Sequence, residues 1–302
     1  MVSFLFIISL FSGFVSFALY NLGFAFEKKA IKKLPEEKKN NTKLMLKSIL
    51  TDKLWLFGLF LTIASIGFYY VALLWAPLSA IAPLSGFGII VLIIYAHIDL
   101  KETIKKFELG GFVLILGGIT GSSYITSLGE NSLSWIEWKE FSHSWPSFIM
   151  IIGSIIVAVI FTFLPVLFKR KIQPFDIAIF AGIIAGLQSI VIKGIAIWTT
   201  DTSWNVDLVI AIFYVIGFLT TALLSTGSLQ FAFKEGQVSN IMAVYNGVMT
   251  VFPIFFGGFI LGEWNLLNIL QKAFLGLSIC LTLIGIIILS LNHTSFSEET
   301  NL

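Results

Sequence analysis

Side chains able to act as acid, base, nucleophile or metal ligand are nearly absent from the apolar runs that make up most of this chain. Lys193 is the one charged residue read deep within such a run, five positions before Trp198. An ammonium at membrane depth costs about 2.5–3.5 kcal/mol on insertion scales, which makes it a functional candidate. Two readings stand side by side. The stem can lie along lipid with the ammonium at the headgroups. Alternatively the charge faces an internal cavity beside Gln188 and Ser189, where it pairs with an anionic solute group or closes an outer gate. No Asp or Glu falls in the middle of a run, so a carboxylate proton relay and an acidic metal cage both lack ligands. His97, His143 and His293 sit at run ends or between runs, Cys280 is the only cysteine, and no HExxH, GxSxG or paired-aspartate pattern occurs. A hydrolytic site needs a nucleophile or metal with a base in reach. The sequence therefore predicts no catalytic residues, no enzyme and no cofactor, and leaves a metal ligand set unassigned.

The other candidates for a solute pocket are uncharged: Asn21, Tyr69, Tyr70, Ser79, Gln230, Tyr245, Asn246 and Thr250. Tyr245 and Asn246 are neighbours, and a helix cannot turn both toward one centre, so one of them is expected to be packing. Glu102 and Glu263 end two apolar runs and read as gating or helix-end charges at opposite faces. Pro83 and Pro253 lie inside runs, where the missing N–H breaks the helical ladder. Freed carbonyls there are tolerated only against protein or a watery cavity.

Nine apolar runs must position these residues, near 3–26, 54–74, 79–97, 107–127, 147–168, 175–197, 207–230, 238–260 and 268–290. Each approaches the roughly 20 residues that a helix needs to cross the hydrocarbon core. The chain is 57% hydrophobic and 12% charged, where soluble domains are about a quarter charged. Segments 27–53 and 128–146 are too short for a soluble catalytic domain. The expectation is an all-α, polytopic transmembrane helix bundle, one transporter domain over 1–302 with a short cytoplasmic tail, 291–302.

Sixteen of the nineteen Lys and Arg follow runs 1, 3, 5 and 7, nine of them between Lys28 and Lys53; only Lys139 and Lys272 fall in the alternate segments. Cytoplasmic loops retain Lys and Arg, so the N-terminus is expected outside and the C-terminus in the cytoplasm of a cell membrane. Run 1 lacks a basic segment before it and reads as an N-out anchor. Seven of the eight Trp fall on the expected outer side, Trp55 alone on the inner, and the stretch from Trp135 to Trp145 is expected along the interface. Segment 27–53 has no interleaved aromatics, so it reads as a topology signal with weak attraction to anionic lipid, not as a nucleic-acid surface. Expected partners are the bilayer and a small-molecule or ion substrate, with a homodimer left open.

Two blocks share a plan. Run 2 leads to a break at Ala76-Pro77 and run 3 ends at Leu100-Lys101-Glu102; run 7 leads to a break at Glu235-Gly236 and run 8 ends at Leu261-Gly262-Glu263. Ala76 to Glu102 is 26 residues and Gly236 to Glu263 is 27. The two blocks enter the membrane from opposite sides, so runs 2–4 and 7–9 form an inverted repeat, within about 1–127 and 147–290. That plan typifies secondary transporters, which hold a solute at the midplane between rocking halves. Glycine pairs such as Gly117 with Gly121 and Gly182 with Gly186 read as helix packing.

The segment Ala76-Pro77-Leu78-Ser79-Ala80-Ile81-Ala82-Pro83-Leu84-Ser85, running on to Leu100-Lys101-Glu102, resembles the drug/metabolite transporter superfamily. The similarity is closest to NIPA-type magnesium transporters. Val191-Ile192-Lys193-Gly194 is similar to a valine-x-lysine-glycine stretch of that family. Gly236-Gln237-Val238-Ser239, through Tyr245 to Gly262-Glu263-Trp264, is similar to its penultimate helix. The resemblance implies alternating-access transport of Mg²⁺ or another divalent cation. The magnesium branch usually carries a Gly-Glu pair in its second helix, where this chain has Ser65-Ile66, and the proline of the eighth helix falls at Ala243. Without that carboxylate, and with Lys193 present, a small polar organic metabolite stays the competing solute and a non-transporting scaffold the remote one.

Overall fold

The computed structural model describes residues 4–75, 81, 84–102, 105–127, 135–168, 171–200, 208–259 and 263–299. All regular structure among them is helical: α1 (Phe4–Lys32), α2 (Glu36–Asn40), α3 (Thr42–Ile49), α4 (Lys53–Trp75), α5 (Leu84–Ile98), α6 (Lys106–Ser127), α7 (Trp135–Ser142), α8 (Trp145–Leu167), α9 (Pro174–Thr200), α10 (Leu208–Glu235), α11 (Val238–Phe259), a 3-10 turn (Glu263–Leu266) and α12 (Ile269–Glu299). Among the described residues seven helices, α1, α4 and α8–α12, are long and apolar enough to cross a membrane, and α5 is a shorter apolar helix. Ser79, Pro83 and the break at Ala76-Pro77 lie outside the described residues.

Burial sorts the helices into centre and flank. In the most apolar stretch of each, 71% of α11 and 61% of α9 are buried, against 17% of α8 and 6% of α10. Ile152, Ile156, Phe213, Ile216 and Leu223 point outward, and an apolar face of that breadth suits lipid, not water. Polar residues on α10 (Ser225 and Gln230) turn inward instead.

Packing follows a repeated pattern: α1 lies along α4 and α5, α9 lies along α10 and α11, and α6 pairs with α12. Lipid supplies no hydrophobic drive between helices, so close backbone contact must supply the attraction. A Cβ at Gly58 would lie 2.6 Å from the Gly23 carbonyl oxygen, and one at Gly23 would lie 2.7 Å from that of Gly58. The α1 and α4 backbones therefore touch. On α6, Gly118 and Gly121 face Ser278 of α12, whereas Gly117 faces open space. Gly182 and Gly186 seat Val248 and Phe252 of α11.

Helix starts carry local caps. Asp52 accepts from the Leu54 and Trp55 N–H groups (2.9 and 3.0 Å), Asp176 accepts from Gln173 N–H (2.8 Å), and Asn268 and Gln271 bond reciprocally (2.9 and 2.8 Å). Each satisfies donors that the first turn leaves open.

One end of the bundle is knit by charge. Segment 27–32, expected as a loop, is the last part of α1, and Glu27 and Lys28 are buried in it. Lys28 Nζ donates to the Phe233 carbonyl and, at 2.7 Å, to that of Gly236, satisfying the C-terminus of α10. Lys101, at φ 57°, turns the chain left-handed after α5. A 3.1 Å bond from Glu102 N–H to the Ala96 carbonyl closes that turn. The Glu102 carboxylate thereby reaches α11, accepting from Val238 N–H (2.8 Å), Ser239 N–H (3.2 Å) and the Ser239 hydroxyl (2.7 Å). An ammonium at the end of α10 and a carboxylate at the start of α11 each oppose a helix dipole. Lys29 pairs with Asp99 at 2.8 Å and, with the Tyr95 hydroxyl, holds that carboxyl below its usual range. The contact therefore contributes at neutral pH and is lost as the pH falls through the lowered value.

The other end is aromatic. Trp138 Nε1 donates to Tyr214 Oη at 2.8 Å, the Trp135 ring lies 6.4 Å from Trp198 and 6.1 Å from Tyr214, and Tyr70 and Thr199 hydroxyls bond at 2.8 Å. Trp138 is buried within this cluster and Trp55 against Gln230, so both indoles act as internal hydrogen-bond donors.

Gly58→Ala should lower the melting temperature in detergent, with a cost of about 1–3 kcal/mol from overpacking. Gly110→Ala, whose Cβ meets nothing within 4 Å, should melt like the parent, and equal behaviour of the two would refute a tight α1–α4 contact. Glu102→Ala leaves α11 donors unpaired and should cost about 1–3 kcal/mol in denaturant unfolding, with Glu102→Gln losing less because it keeps an acceptor.

Candidate functional site

A cavity of about 70 Å³ lies inside the bundle between α1, α4, α9, α10 and α11. That is well above the roughly 10–15 Å³ that a cavity needs to hold a water. Its polar lining comes from Ser16 and Tyr20 on α1, Thr62, Ser65 and Tyr69 on α4, Gln188 and Ser189 on α9, Thr226 on α10 and Tyr245 on α11; Phe17, Ile66, Ile192 and Met249 complete the wall. The intervals of three, four and seven within each helix put these residues on one inward stripe.

Serine hydroxyl protons along this lining are committed to backbone carbonyls. Ser16 donates to Ser65 O (2.8 Å), Ser65 to Thr62 O (2.6 Å) and Ser189 to Ala185 O (3.1 Å), whereas Thr62 shares its proton between Gly58 O (3.1 Å) and Glu27 Oε1 (3.3 Å). A hydroxyl has one proton to give and two lone pairs to offer, so these residues meet a cavity occupant as oxygen acceptors. Tyr20 and Tyr245 hydroxyls bond to each other, with Ser225 Oγ 3.3 Å from the Tyr245 oxygen, and so join α1, α10 and α11.

A second cluster backs the wall toward the charged end. Glu27 is fully buried and accepts from Thr62 Oγ1 at 3.3 Å and from Gln230 Nε2. Trp55 Nε1 donates to Gln230 Oε1 at 2.9 Å, and Gln230 Nε2 also reaches the Thr226 carbonyl at 3.3 Å. Flipping the amide would set donor against donor at Trp55 and oxygen against oxygen at Glu27, so its orientation is determined. Gly58 makes the space: a Cβ there would lie 2.9 Å from Glu27 Cγ.

Of the residues singled out from sequence, Tyr69, Gln188 and Tyr245 meet at the cavity. Asn246 is buried but bonds instead to Asn21 Oδ1 (3.2 Å) and the Met242 carbonyl (2.7 Å), and Thr250 donates to the Asn246 carbonyl at 2.8 Å. Tyr70 ties α4 to α9 through Thr199. Lys193 is half-buried and follows Ile192 without itself lining the cavity. Glu102 caps α11, Pro253 falls within α11, and Glu263 opens the 3-10 turn.

The interior without a carboxylate, expected from sequence, is corrected by Glu27. Its charge and the lysines behind it lower the hydropathy, so the apolar run ends at residue 26. Tyr20, Gly23 and Glu27 nevertheless share one helix face, and that continuing period was the available signal. Ser65 and Ile66, where the family resemblance places Gly-Glu, do line the cavity; this chain's carboxylate arrives from α1, one turn along at Thr62.

A family model described as Magnesium transporter NIPA matches residues 5–294. No curated relative and no solved structure matches the chain. The match spans nearly the whole chain, whose apolar helices surround an oxygen-lined cavity; the protein belongs to the NIPA magnesium transporter family of the drug/metabolite transporter superfamily, multi-pass membrane transporters of divalent cations and not enzymes.

Proposed function

We propose that this protein moves Mg²⁺ by alternating access through the central cavity, as a nine-span bundle of two inverted halves with its N-terminus outside and its C-terminus cytoplasmic. The observation that carries this reading is the lining itself: hydroxyls whose protons are spent on backbone, and the Gln188 amide, around a space of about 70 Å³. Mg²⁺ demands six oxygens in octahedral array and sheds its waters reluctantly. A cavity with room for water between oxygen acceptors suits an ion that keeps part of its shell.

Helix pairing supports the inverted repeat. The first half, α1 and α4–α6, and the second, α9–α12, each begin with a helix laid against the next two, and their last helices pair across the halves. Contacts between halves lie at both ends of the cavity. Lys28 and Glu102 of the first half hold the α10–α11 junction of the second, and Tyr70 holds Thr199. Rocking one half against the other would exchange these two sets of contacts, with the charged end as inner gate and the aromatic end as outer gate. Lysine at one end and tryptophan at the other support that orientation. Lys193 belongs to the flank in this reading, because a fixed ammonium in the cavity would repel the ion.

Purified protein in liposomes should carry Mg²⁺ faster than protein-free vesicles; no excess flux would refute the reading. Lys193→Met should transport at the parent rate for equal protein in the membrane, and inactivity would return the lysine to the ion path. With Cys280 replaced by Ser, Lys43→Cys should be labelled only from the cytoplasm and Ser203→Cys only from outside. Reversal of either result would overturn the topology.

A further inference from the structure

Glu27 is a fully buried carboxylate whose two hydrogen-bond donors, Thr62 and Gln230, are both neutral. Among the described residues no basic side chain pairs with it. Lys28, next in sequence, is drawn away by the carbonyls of Phe233 and Gly236 at the end of α10. A buried ionised carboxylate is stable only with a compensating charge. The site is nonetheless built to orient it: Gln230 is held by Trp55, and Gly58 leaves room for the side chain. It also communicates with the cavity. Thr62 lines that space and bonds Glu27, and Thr226 lines it and bonds Gln230.

We propose that Glu27 is the carboxylate ligand of a divalent-cation station at the charged end of the cavity, with the Thr62 hydroxyl oxygen as a second ligand and water completing the shell. The missing positive charge is then the ion itself. A hard cation with few protein ligands and several retained waters needs one or two carboxylates, and this position offers one. Once the ion binds, the Thr62 proton turns from the carboxylate wholly to the Gly58 carbonyl, 3.1 Å away, which frees both the carboxylate oxygen and the hydroxyl lone pair. The station lies between the cavity and the Lys28 contact with α10, so an ion leaving toward the charged end passes it. The inference rests on the transport reading but concerns a site that also binds at equilibrium.

Two measurements separate the claims: Mg²⁺ flux in liposomes, and the rise in melting temperature that MgCl₂ produces in detergent with the full-length protein. The parent should show both. Glu27→Gln, close to isosteric, should fold, melt no lower than the parent without Mg²⁺, and lose the Mg²⁺-induced rise together with at least about tenfold of the flux, in line with the effect of weakening a metal site. Thr62→Val should bind Mg²⁺ several-fold more weakly. If Glu27→Gln retains the parent's flux and thermal response, Glu27 is a packing group and the inference is wrong; a parent with no thermal response refutes it as well. A parent that binds Mg²⁺ through Glu27 yet carries none would remove the transport reading and leave the station standing. Should Glu27→Gln fail to fold, Glu27→Asp decides, because it keeps the charge and withdraws the ligand by one methylene: an unchanged Mg²⁺ midpoint overturns the proposal, and a raised one supports it.

Discussion

The contact of α1 with α4 governs what the interior can be. Gly23 and Gly58 bring two backbones together without side chains between them, and in lipid such contact is a main source of helix association. Once α1 sits that close, its inward face is distributed among neighbours: Tyr20 to Tyr245, Asn21 to Asn246, Glu27 to Thr62 and Gln230, Lys28 to the end of α10. Four residues of this one helix (Tyr20, Asn21, Glu27 and Lys28) carry polar links to the other half. A wider α1–α4 spacing would leave several of these groups unpaired in a medium without water, where each costs free energy.

The break between α10 and α11 illustrates the same constraint. A chain that leaves one helix and enters another exposes carbonyls at the first and N–H groups at the second. Here Lys28 serves the Phe233 and Gly236 carbonyls and Glu102 the Val238 and Ser239 N–H groups, both from the other half. A helix end satisfied by a distant element holds only while that element stays in place. Backbone hydrogen bonding and inter-half geometry are thereby tied together at the charged end, while the aromatic end relies on indole and phenol contacts that break at less cost.

The position of the carboxylate matters for how the family chemistry is read in this chain. Second-helix residues Ser65 and Ile66 border the cavity without acid groups, and the negative charge is supplied from α1 instead. What a divalent ion needs is an oxygen anion at the right depth, not a particular helix to carry it. Lysines adjoining such a site would defeat it if left free. The structure directs Lys28, Lys29 and Lys32 to the Gly236 carbonyl, the Asp99 carboxylate and the Leu100 carbonyl.

Helical class, apolar runs, the glycines of the helix seams and the segregation of lysine from tryptophan were legible in the sequence, because each depends on composition and on periods of three and four. Tyr69, Gln188 and Tyr245 were legible as polar groups on inward faces. Glu27 was not: a carboxylate beside lysines at the end of an apolar run has the same local sequence whether it is solvated or buried, and only its approach to Gly58, Thr62 and Gln230 decides which. Lys28 and Glu102, read as topology and helix-end charges, likewise acquire their partners from helix ends more than 130 residues away in the chain. Sequence alone determined that this is a membrane bundle with a sparse polar interior. Only the tertiary structure decided which polar groups meet, because in a low-dielectric interior a group's partner, more than its type, sets its free energy.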